Sequence, residues 1–225
     1  MKAADFFALP PSLAVFAPHF PTEVAPWEWL KRIEPALAAF KFESPRPLPP
    51  GVHAEGKLWI DPTVKLPPYA VLIGPAYIGA HTQIRPGAFV RGNVIVGEGC
   101  VLGNACEYKN CLLMDRVETP HYNYVGDSVL GNRAHLGAGV ICSNLRLDRG
   151  PVMVRIGDGV EATGLRKFGA IVGDGAEVGC NAVLNPGTLL GPRSLVAPAI
   201  AFGGFLPPGQ MVKVRQAVVT VPRRD

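Results

Sequence analysis

The chain has 225 residues and a mass of 23.9 kDa, which is enough for one domain with an appendage. Hydrophobic residues make up 48% and charged residues 18%, and this composition excludes an intrinsically disordered chain. The net charge of +4 is a weak nucleic-acid signal and is compatible with an anionic small-molecule ligand. We therefore expect a globular protein that binds small molecules, and neither nucleic acid nor a membrane.

The five cysteines are odd in number and form no CxxC pair, so we expect reduced thiols that serve as small apolar side chains. The first 20 residues lack the continuous apolar run of a signal peptide. No stretch is long and apolar enough for a transmembrane span. Together these features predict a cytoplasmic protein.

Residues 1–52 are predicted to form a short helical segment followed by a proline-rich linker. Apolar residues recur at helical spacing at Trp27, Leu30, Ile33, Leu37 and Phe40. The proline before Trp27 suits the start of a helix, and the one after Glu34 is expected to bend or end it. We expect this segment to pack on the rest of the chain or on a neighbouring subunit.

A six-residue repeat dominates residues 53–206. Counting every sixth residue, the apolar or aromatic positions are Ile60, Leu66, Leu72, Ile78, Ile84, Val90, Val96, Leu102, Tyr108 and Met114, then Tyr124, Leu130 and Leu136, then Val172, Val178, Leu184, Leu190 and Val196. Neither a helix nor an ordinary strand has this period. A six-residue unit fits a short strand and a turn, and three units close one coil. The pattern predicts a parallel β-helix of about eight coils, with residues 207–225 as a C-terminal tail.

The repeat is interrupted at residues 115–123, at about 145–155 and at 162–171. Excursions from a repeat often carry the binding site. The first interruption holds His121 within the sequence "TPHYNYVGD", and a neutral histidine can accept a proton near pH 7. We predict that this interruption lifts His121 out of the stacked wall and that the repeat resumes at Tyr124.

Two stretches, "GNACEYKN" and "TPHYNYVGDSVLGNRAHLGAGVICSN", resemble the acetyltransferase domain of the bifunctional glucosamine-1-phosphate acetyltransferase/N-acetylglucosamine-1-phosphate uridylyltransferase family. The segments "NLRLD" and "LRKFGAIVGDG" resemble the archaeal-type sugar-1-phosphate nucleotidylyltransferase/acetyltransferase fusions. The resemblance covers roughly residues 56–202 and implies an all-β solenoid, the left-handed parallel β-helix of hexapeptide acyltransferases. No glycine-rich nucleotide-binding loop precedes Ile60, so we expect a stand-alone acetyltransferase.

The resemblance implies that acetyl-CoA acetylates the amino group of a glucosamine or galactosamine 1-phosphate, in a homotrimer and without a metal. His121 is implied as the general base, and Glu107 as the group that orients its imidazole or binds a sugar hydroxyl. The backbone N–H of Ala138 is implied to hold the oxyanion. Asn144 is implied to contact the substrate or the pantetheine arm of the cofactor.

The substrate-binding residues implied by the resemblance are Arg91, Lys109, Tyr124, His135 and Lys167. Those implied to contact coenzyme A are Ala138, Asn144, Cys180, Pro198 and Arg215. Lys167 is expected at the site if the residues after Asn144 form a protruding hairpin, and either it or Arg215 is expected to come from a neighbouring subunit. Four positions depart from the family pattern, where His135 stands for asparagine, Leu145 for tyrosine, Cys180 for serine and Pro198 for alanine.

Two other functions are compatible with the sequence. A γ-carbonic-anhydrase-like zinc enzyme is also a left-handed β-helix, but it needs three imidazoles on neighbouring coils, and the five histidines include no His-x4-His pair. A non-catalytic module would bind a sugar nucleotide or a separate nucleotidylyltransferase. His121, Lys109 and Arg91 together favour catalysis, whereas the departures at His135 and Leu145 favour the module.

Overall fold

The computed structural model describes residues 1–43, 46–215 and 219–223. Within them, 3-10 helices span Ala3–Asp5, Pro11–His19 and Pro26–Arg32, and one α-helix, α1, spans Ile33–Ala39. The strands are β1 (Gly51–Glu55), β2 (Leu58–Ile60), β3 (Tyr69–Ile73), β4 (Ala76–Ile78), β5 (Gln83–Ile84), β6 (Phe89–Arg91), β7 (Val94–Val96), β8 (Val101–Asn104), β9 (Glu107–Leu113), β10 (Glu118–His121), β11 (Tyr124–Leu130), β12 (His135–Leu136), β13 (Ile141–Cys142), β14 (Met153–Ile156), β15 (Gly159–Ala162), β16 (Ala170–Val172), β17 (Glu177–Val178), β18 (Val183–Leu184), β19 (Thr188–Leu190), β20 (Leu195–Val196), β21 (Ala201–Phe202), β22 (Phe205–Leu206) and β23 (Met211–Val212).

The strands stack into a three-sided parallel coil. Face 1 consists of β1, β3, β6, β9, β11, β13, β18 and β21. Face 2 consists of β2, β4, β7, β16, β19 and β22, together with the second halves of β9 and β11. Face 3 consists of β5, β8, β10, β12, β17, β20 and β23. This architecture confirms the parallel β-helix predicted from the six-residue period, and it matches the left-handed class expected from the resemblance.

The coil begins at β1 and ends at β23. Gly51 pairs with Tyr69 at the first turn, and Val196 pairs with Val212 at the last. The coil therefore starts two residues before, and ends six residues after, the boundaries of 53 and 206 expected from the sequence.

The repeat loses its phase at a corner and not at a loop. Between faces 1 and 2 the corner holds two residues of positive φ, Gly92 and Asn93, in one coil, but a single such residue, Asn110 and then Asp127, in the next two. Each of these coils is therefore one residue shorter, and β9 and β11 run round the corner without a break. The shift explains two errors of the sequence analysis: Leu113 and Val125 face the core where the period placed Met114 and Tyr124.

The predicted interruption at 115–123 is therefore wrong. His121 ends β10 and pairs in parallel register with Asn104, so it remains in the wall of the coil. The chain leaves the coil after Cys142 and returns to it at Ala170. The interruptions predicted at about 145–155 and at 162–171 both belong to this single excursion. It contains the antiparallel hairpin of β14 and β15, as expected for the residues after Asn144.

The N-terminal segment covers face 2 of the same chain. A second apolar cluster joins its side chains to outward-facing residues of face 2, among them Ile95, Leu112 and Ile171. The helical segment expected around Trp27 is mostly 3-10 helix, and its proline at 35 lies in the first turn of α1, where a missing N–H costs no helical hydrogen bond. In the described part of the chain, no helix is long and apolar enough to cross a membrane.

The interior of the coil is lined by small and aliphatic side chains, including four cysteines. Cys100, Cys106, Cys111 and Cys142 are buried free thiols, whereas Cys180 is exposed. Burial raises the pKa of both Cys100 and Cys142 to about 12, so these thiols are neutral and act as small apolar groups, as expected.

Candidate active site

His121 lies on the corner where face 3 turns into face 1. The equivalent residues of successive coils are Pro86, Asn104, His121, Ala138, Cys180 and Pro198, which we call the corner column. Backbone hydrogen bonds connect it from coil to coil: the carbonyl of His121 accepts from Gly139 at 3.0 Å, and that of Ala138 accepts from Asn181 at 2.8 Å. The predicted base and three predicted coenzyme A contacts therefore form one continuous edge.

The turn at Ala138 is tight because the residue after it, Gly139, has a φ of +75°. The N–H of Val140 closes the turn on the carbonyl of Gly137 at 3.3 Å. Among the residues that the structure describes, no hydrogen bond uses the N–H of Ala138. This donor is therefore available to a ligand one coil away from the exposed His121.

Face 1 carries a cluster of polar residues beside this corner. Glu107 and Tyr124 pair in register on adjacent coils, and Arg91 reaches Glu107 with its Nε 2.6 Å from a carboxylate oxygen. The guanidinium of Arg91 also lies 5.9 Å from the centre of the Phe89 ring. Glu107 thus contacts Arg91, and the described residues show no hydrogen bond between Glu107 and the His121 imidazole.

Asp127 connects the other members of this polar cluster, which are Lys109, Asn110 and Asn144. Its carboxylate is only 4% exposed and accepts from Lys109 Nζ at 3.0 and 3.1 Å and from Asn110 Nδ2 at 2.9 Å. Asn144 Nδ2 donates both to this carboxylate and to the Tyr124 hydroxyl, the latter at 3.1 Å. These hydrogen bonds to the buried Asp127 carboxylate hold Lys109 and Asn144 in place.

Tyr124 is a neutral phenol in this setting. Burial raises its pKa, and the nearby Glu107 and Asp127 carboxylates raise it further. The hydroxyl can therefore donate a hydrogen bond to a ligand while it accepts one from Asn144.

Lys167 lies next to this cluster in the same chain. Leu145 and Lys167 form an antiparallel bridge, and the adjacent Phe168 N–H donates to the Asn144 carbonyl at 2.9 Å. The side chain of Lys167 is exposed and takes part in no ion pair among the described residues.

Two predicted site residues lie apart from the cluster. His135 lies on face 3, in register with Glu118 and Glu177, and the surface around it also includes two arginines. It does not meet Tyr124 or Lys109, which lie on another face. Arg215 is exposed and lies three residues after the end of the last strand, β23.

Sequence analysis did not single out Asp127, Asn110 or Asn123, although all three are central to the arrangement. A signal was present, because Asn110, Asp127 and Asn144 are spaced by 17 residues, the length of the shortened coil. Across residues 1–43, 46–215 and 219–223, no group of three or more histidines, cysteines or carboxylates is placed to hold a metal ion.

Residues 72–195, more than half of the chain, match the family model described as the GMPPB C-terminal domain. The chain belongs to this family. The match spans the corner column from Pro86 to Cys180 and the whole polar cluster of face 1.

Named relatives agree with the resemblance found in the motifs. The chain is 37% identical over 113 residues to the bifunctional protein GlmU of Methanococcus vannielii, covering 50% of this chain and 27% of that protein. It is 31% identical to a bifunctional sugar-1-phosphate nucleotidylyltransferase/acetyltransferase of Sulfurisphaera tokodaii, covering 72% of this chain and 41% of that protein. An uncharacterized acetyltransferase of Escherichia coli, YaiX, is 34% identical, with 60% of this chain and 67% of that protein covered. The chain thus spans less than half the length of the two bifunctional relatives.

Proposed function

We propose that this protein transfers an acetyl group from acetyl-CoA to the amino group of an amino-sugar 1-phosphate. The observation that carries the proposal is the corner column, which places His121 and the free N–H of Ala138 on adjacent coils beside the polar cluster of face 1. Strands in neighbouring coils are about 4.8 Å apart, so one reacting group can contact both. Relatives named as acetyltransferases support the reaction class.

The reaction needs a base and an oxyanion donor, and the column supplies one of each. The substrate nitrogen attacks the thioester carbonyl carbon, a C–N bond forms, and neutral His121 accepts the proton that the amine loses. The oxyanion of the tetrahedral intermediate accepts a hydrogen bond from the N–H of Ala138. When the intermediate collapses, the C–S bond breaks and the coenzyme A thiolate takes the proton from His121.

The acceptor sugar would bind on face 1. Arg91 and Lys109 already form ion pairs with Glu107 and Asp127, so each offers a phosphate only part of its charge. Lys167 is the third cation among the predicted substrate-binding residues, and a phosphate can approach it without breaking an ion pair in the described residues. Tyr124 and the side-chain oxygen of Asn144 are left to contact the sugar hydroxyls.

Coenzyme A would follow the corner column away from His121. From Ala138 the column continues to Cys180 and Pro198, and Arg215 follows the last strand by three residues. Because Pro198 has no backbone N–H, this corner can contact the cofactor by van der Waals packing but cannot donate a hydrogen bond to it. The exposed Arg215 guanidinium suits the phosphates of the cofactor.

The test is acetyl transfer by the full chain to glucosamine 1-phosphate, galactosamine 1-phosphate and the unphosphorylated amino sugars, with release of the coenzyme A thiol measured directly. We expect turnover with a phosphorylated acceptor. Lys109→Ala should raise KM for that acceptor by roughly 10- to 100-fold, the effect of losing one charge-assisted hydrogen bond. The exposed Lys65 on an early coil provides the matched control, since Lys65→Ala should leave KM unchanged. If the wild type transfers no acetyl group but binds sugar nucleotides, the protein is the non-catalytic module.

We further propose that the protein is a homotrimer. The N-terminal segment covers face 2, so faces 1 and 3 remain for contacts between copies, and the corner column lies between them. A second copy packed along this corner would enclose His121, which is exposed in the single chain. Light scattering at micromolar concentration is expected to give three times the chain mass of 23.9 kDa. A monomer in that measurement would contradict the trimer.

A further inference from the structure

One residue of the coil interior departs from its column. The equivalent inward positions of successive coils are Ala70, Ala88, Cys106, Asn123, Val140, Ala182 and Ile200, joined by backbone hydrogen bonds from each coil to the next. All are buried, and all except Asn123 are apolar or a thiol. The fold has no need of an amide here, because the two adjacent coils use Cys106 and Val140 at the same point and more distant coils use alanine. Burying a primary amide is costly unless its hydrogen bonds are made.

The amide of Asn123 makes its hydrogen bonds to the two residues that flank the proposed reaction. Its Nδ2 donates to the carbonyl of Gly137 at 2.7 Å, and its Oδ1 accepts from the backbone N–H of His121 at 3.3 Å. The Cys106 thiol, 3.5 Å from Oδ1, supports it from the preceding coil. Asn123 is only 2% exposed, so both bonds lie out of water.

The shorter of the two bonds to the Gly137 carbonyl comes from Asn123, and together with the turn bond from the Val140 N–H it sets the direction of the Ala138 N–H. In a trans peptide the C=O and the following N–H point in opposite directions. The Gly137 carbonyl is directed inward, to the buried Asn123 amide, so the N–H of Ala138 is directed outward at the corner. The same side chain thus fixes the oxyanion donor on one coil and the backbone of His121 on the coil before it.

We propose that Asn123 is a positioning residue that holds His121 and the Ala138 N–H in one fixed relation. This inference rests on the proposed function. Catalytic groups must be held to within a fraction of an ångström, because a misplacement of about 1 Å can cost roughly 100-fold in rate. Asn123 touches neither substrate and acts only through the two backbone groups that it binds.

The test compares Asn123→Leu, which keeps the shape and removes both hydrogen bonds, with Thr119→Val. Thr119 is buried in the same coil and bonds to Tyr108 and the Val101 carbonyl, but not through its side chain to His121 or Gly137. Asn123→Leu should lower kcat by roughly 100-fold and change KM for either substrate by no more than about twofold, as expected for a contact used only in the transition state. Thr119→Val should keep kcat within about threefold of the wild type, since no catalytic donor is displaced.

Urea unfolding of each variant separates lost positioning from lost folding. If the leucine variant does not fold, Asn123→Ser, whose short side chain cannot bridge both partners, takes its place in the same assay. A folded Asn123 variant with normal kcat, or an equal loss in Thr119→Val, would overturn the inference and leave the proposed function intact. A wild type that acetylates none of the amino sugars would overturn the proposed function and this inference with it.

Discussion

Replacing His121 with alanine is expected to lower acetyl transfer by about two to four orders of magnitude, the range for a positioned general base. The substrate amine would then have to lose its proton to water. KM for the sugar phosphate should change little, because Arg91, Lys109 and Lys167 remain. The measurement is the steady-state rate of coenzyme A release at saturating acceptor, with the variant shown to be folded by circular dichroism.

The matched control for this experiment is His53→Ala. His53 is an exposed histidine on face 1, four coils from His121, where its side chain pairs with Glu55. We expect the His53→Ala substitution to leave the rate of acetyl transfer unchanged. Near-normal transfer by His121→Ala would assign the base to another group and would leave the corner column as a binding edge only.

Replacing Trp29 with alanine is expected to lower the free energy of unfolding by about 3–5 kcal/mol, the cost of removing a large aromatic side chain from a packed core. Trp29 is fully buried, with its ring centre 5.1 Å from that of Phe20 and 5.3 Å from that of Phe7. Its indole N–H also donates to the Pro21 carbonyl at 2.8 Å. The substitution therefore leaves both a cavity and an acceptor without its donor.

Urea unfolding followed by far-ultraviolet circular dichroism measures this loss. Val15→Ala is the control on the same segment, since Val15 is 55% exposed and should change stability by no more than about 0.5 kcal/mol. A loss of less than about 1 kcal/mol for Trp29→Ala would show that the N-terminal segment unfolds separately from the coil. In that case the apolar surface of face 2 would be open to other partners.

The six-residue period predicted the fold because each unit must bury one side chain per face, and this requirement is visible in the order of residues. Every residue from Ile60 to Tyr108 that was predicted to face inward packs in the core of the coil, although Leu66, near the open first end of the coil, is only partly buried. The prediction failed at Met114, because one residue is missing at the corner formed by Asn110. Asparagine and aspartate tolerate the left-handed conformation that such a corner needs, but the same residues also occur in ordinary turns.

The site was predicted in part by resemblance, which named Lys109, Tyr124 and Asn144. In the stacked coils Asn144 contacts Tyr124, and both Asn144 and Lys109 contact Asp127. The pairing of Arg91 with Glu107 and of Lys109 with Asp127 was not foreseen, since ion pairs depend on side-chain reach across coils. His135 was grouped with the site by resemblance, and the coil places it on a different face.

The order of residues alone was enough to predict the parallel β-helix and the N-terminal segment outside it, because both follow from local periodicity, and the resemblance of the motifs supplied most of the polar residues of the candidate site. Only the folded chain decides which of those residues act together. Whether Asn123 is an ordinary turn asparagine or a buried clamp depends on its bond to Gly137, 14 residues away on the next coil, as well as on its local bond to His121. The bond to Gly137 forms only when the corners stack, and the stacking depends on single corner residues of positive φ that the six-residue period does not reveal.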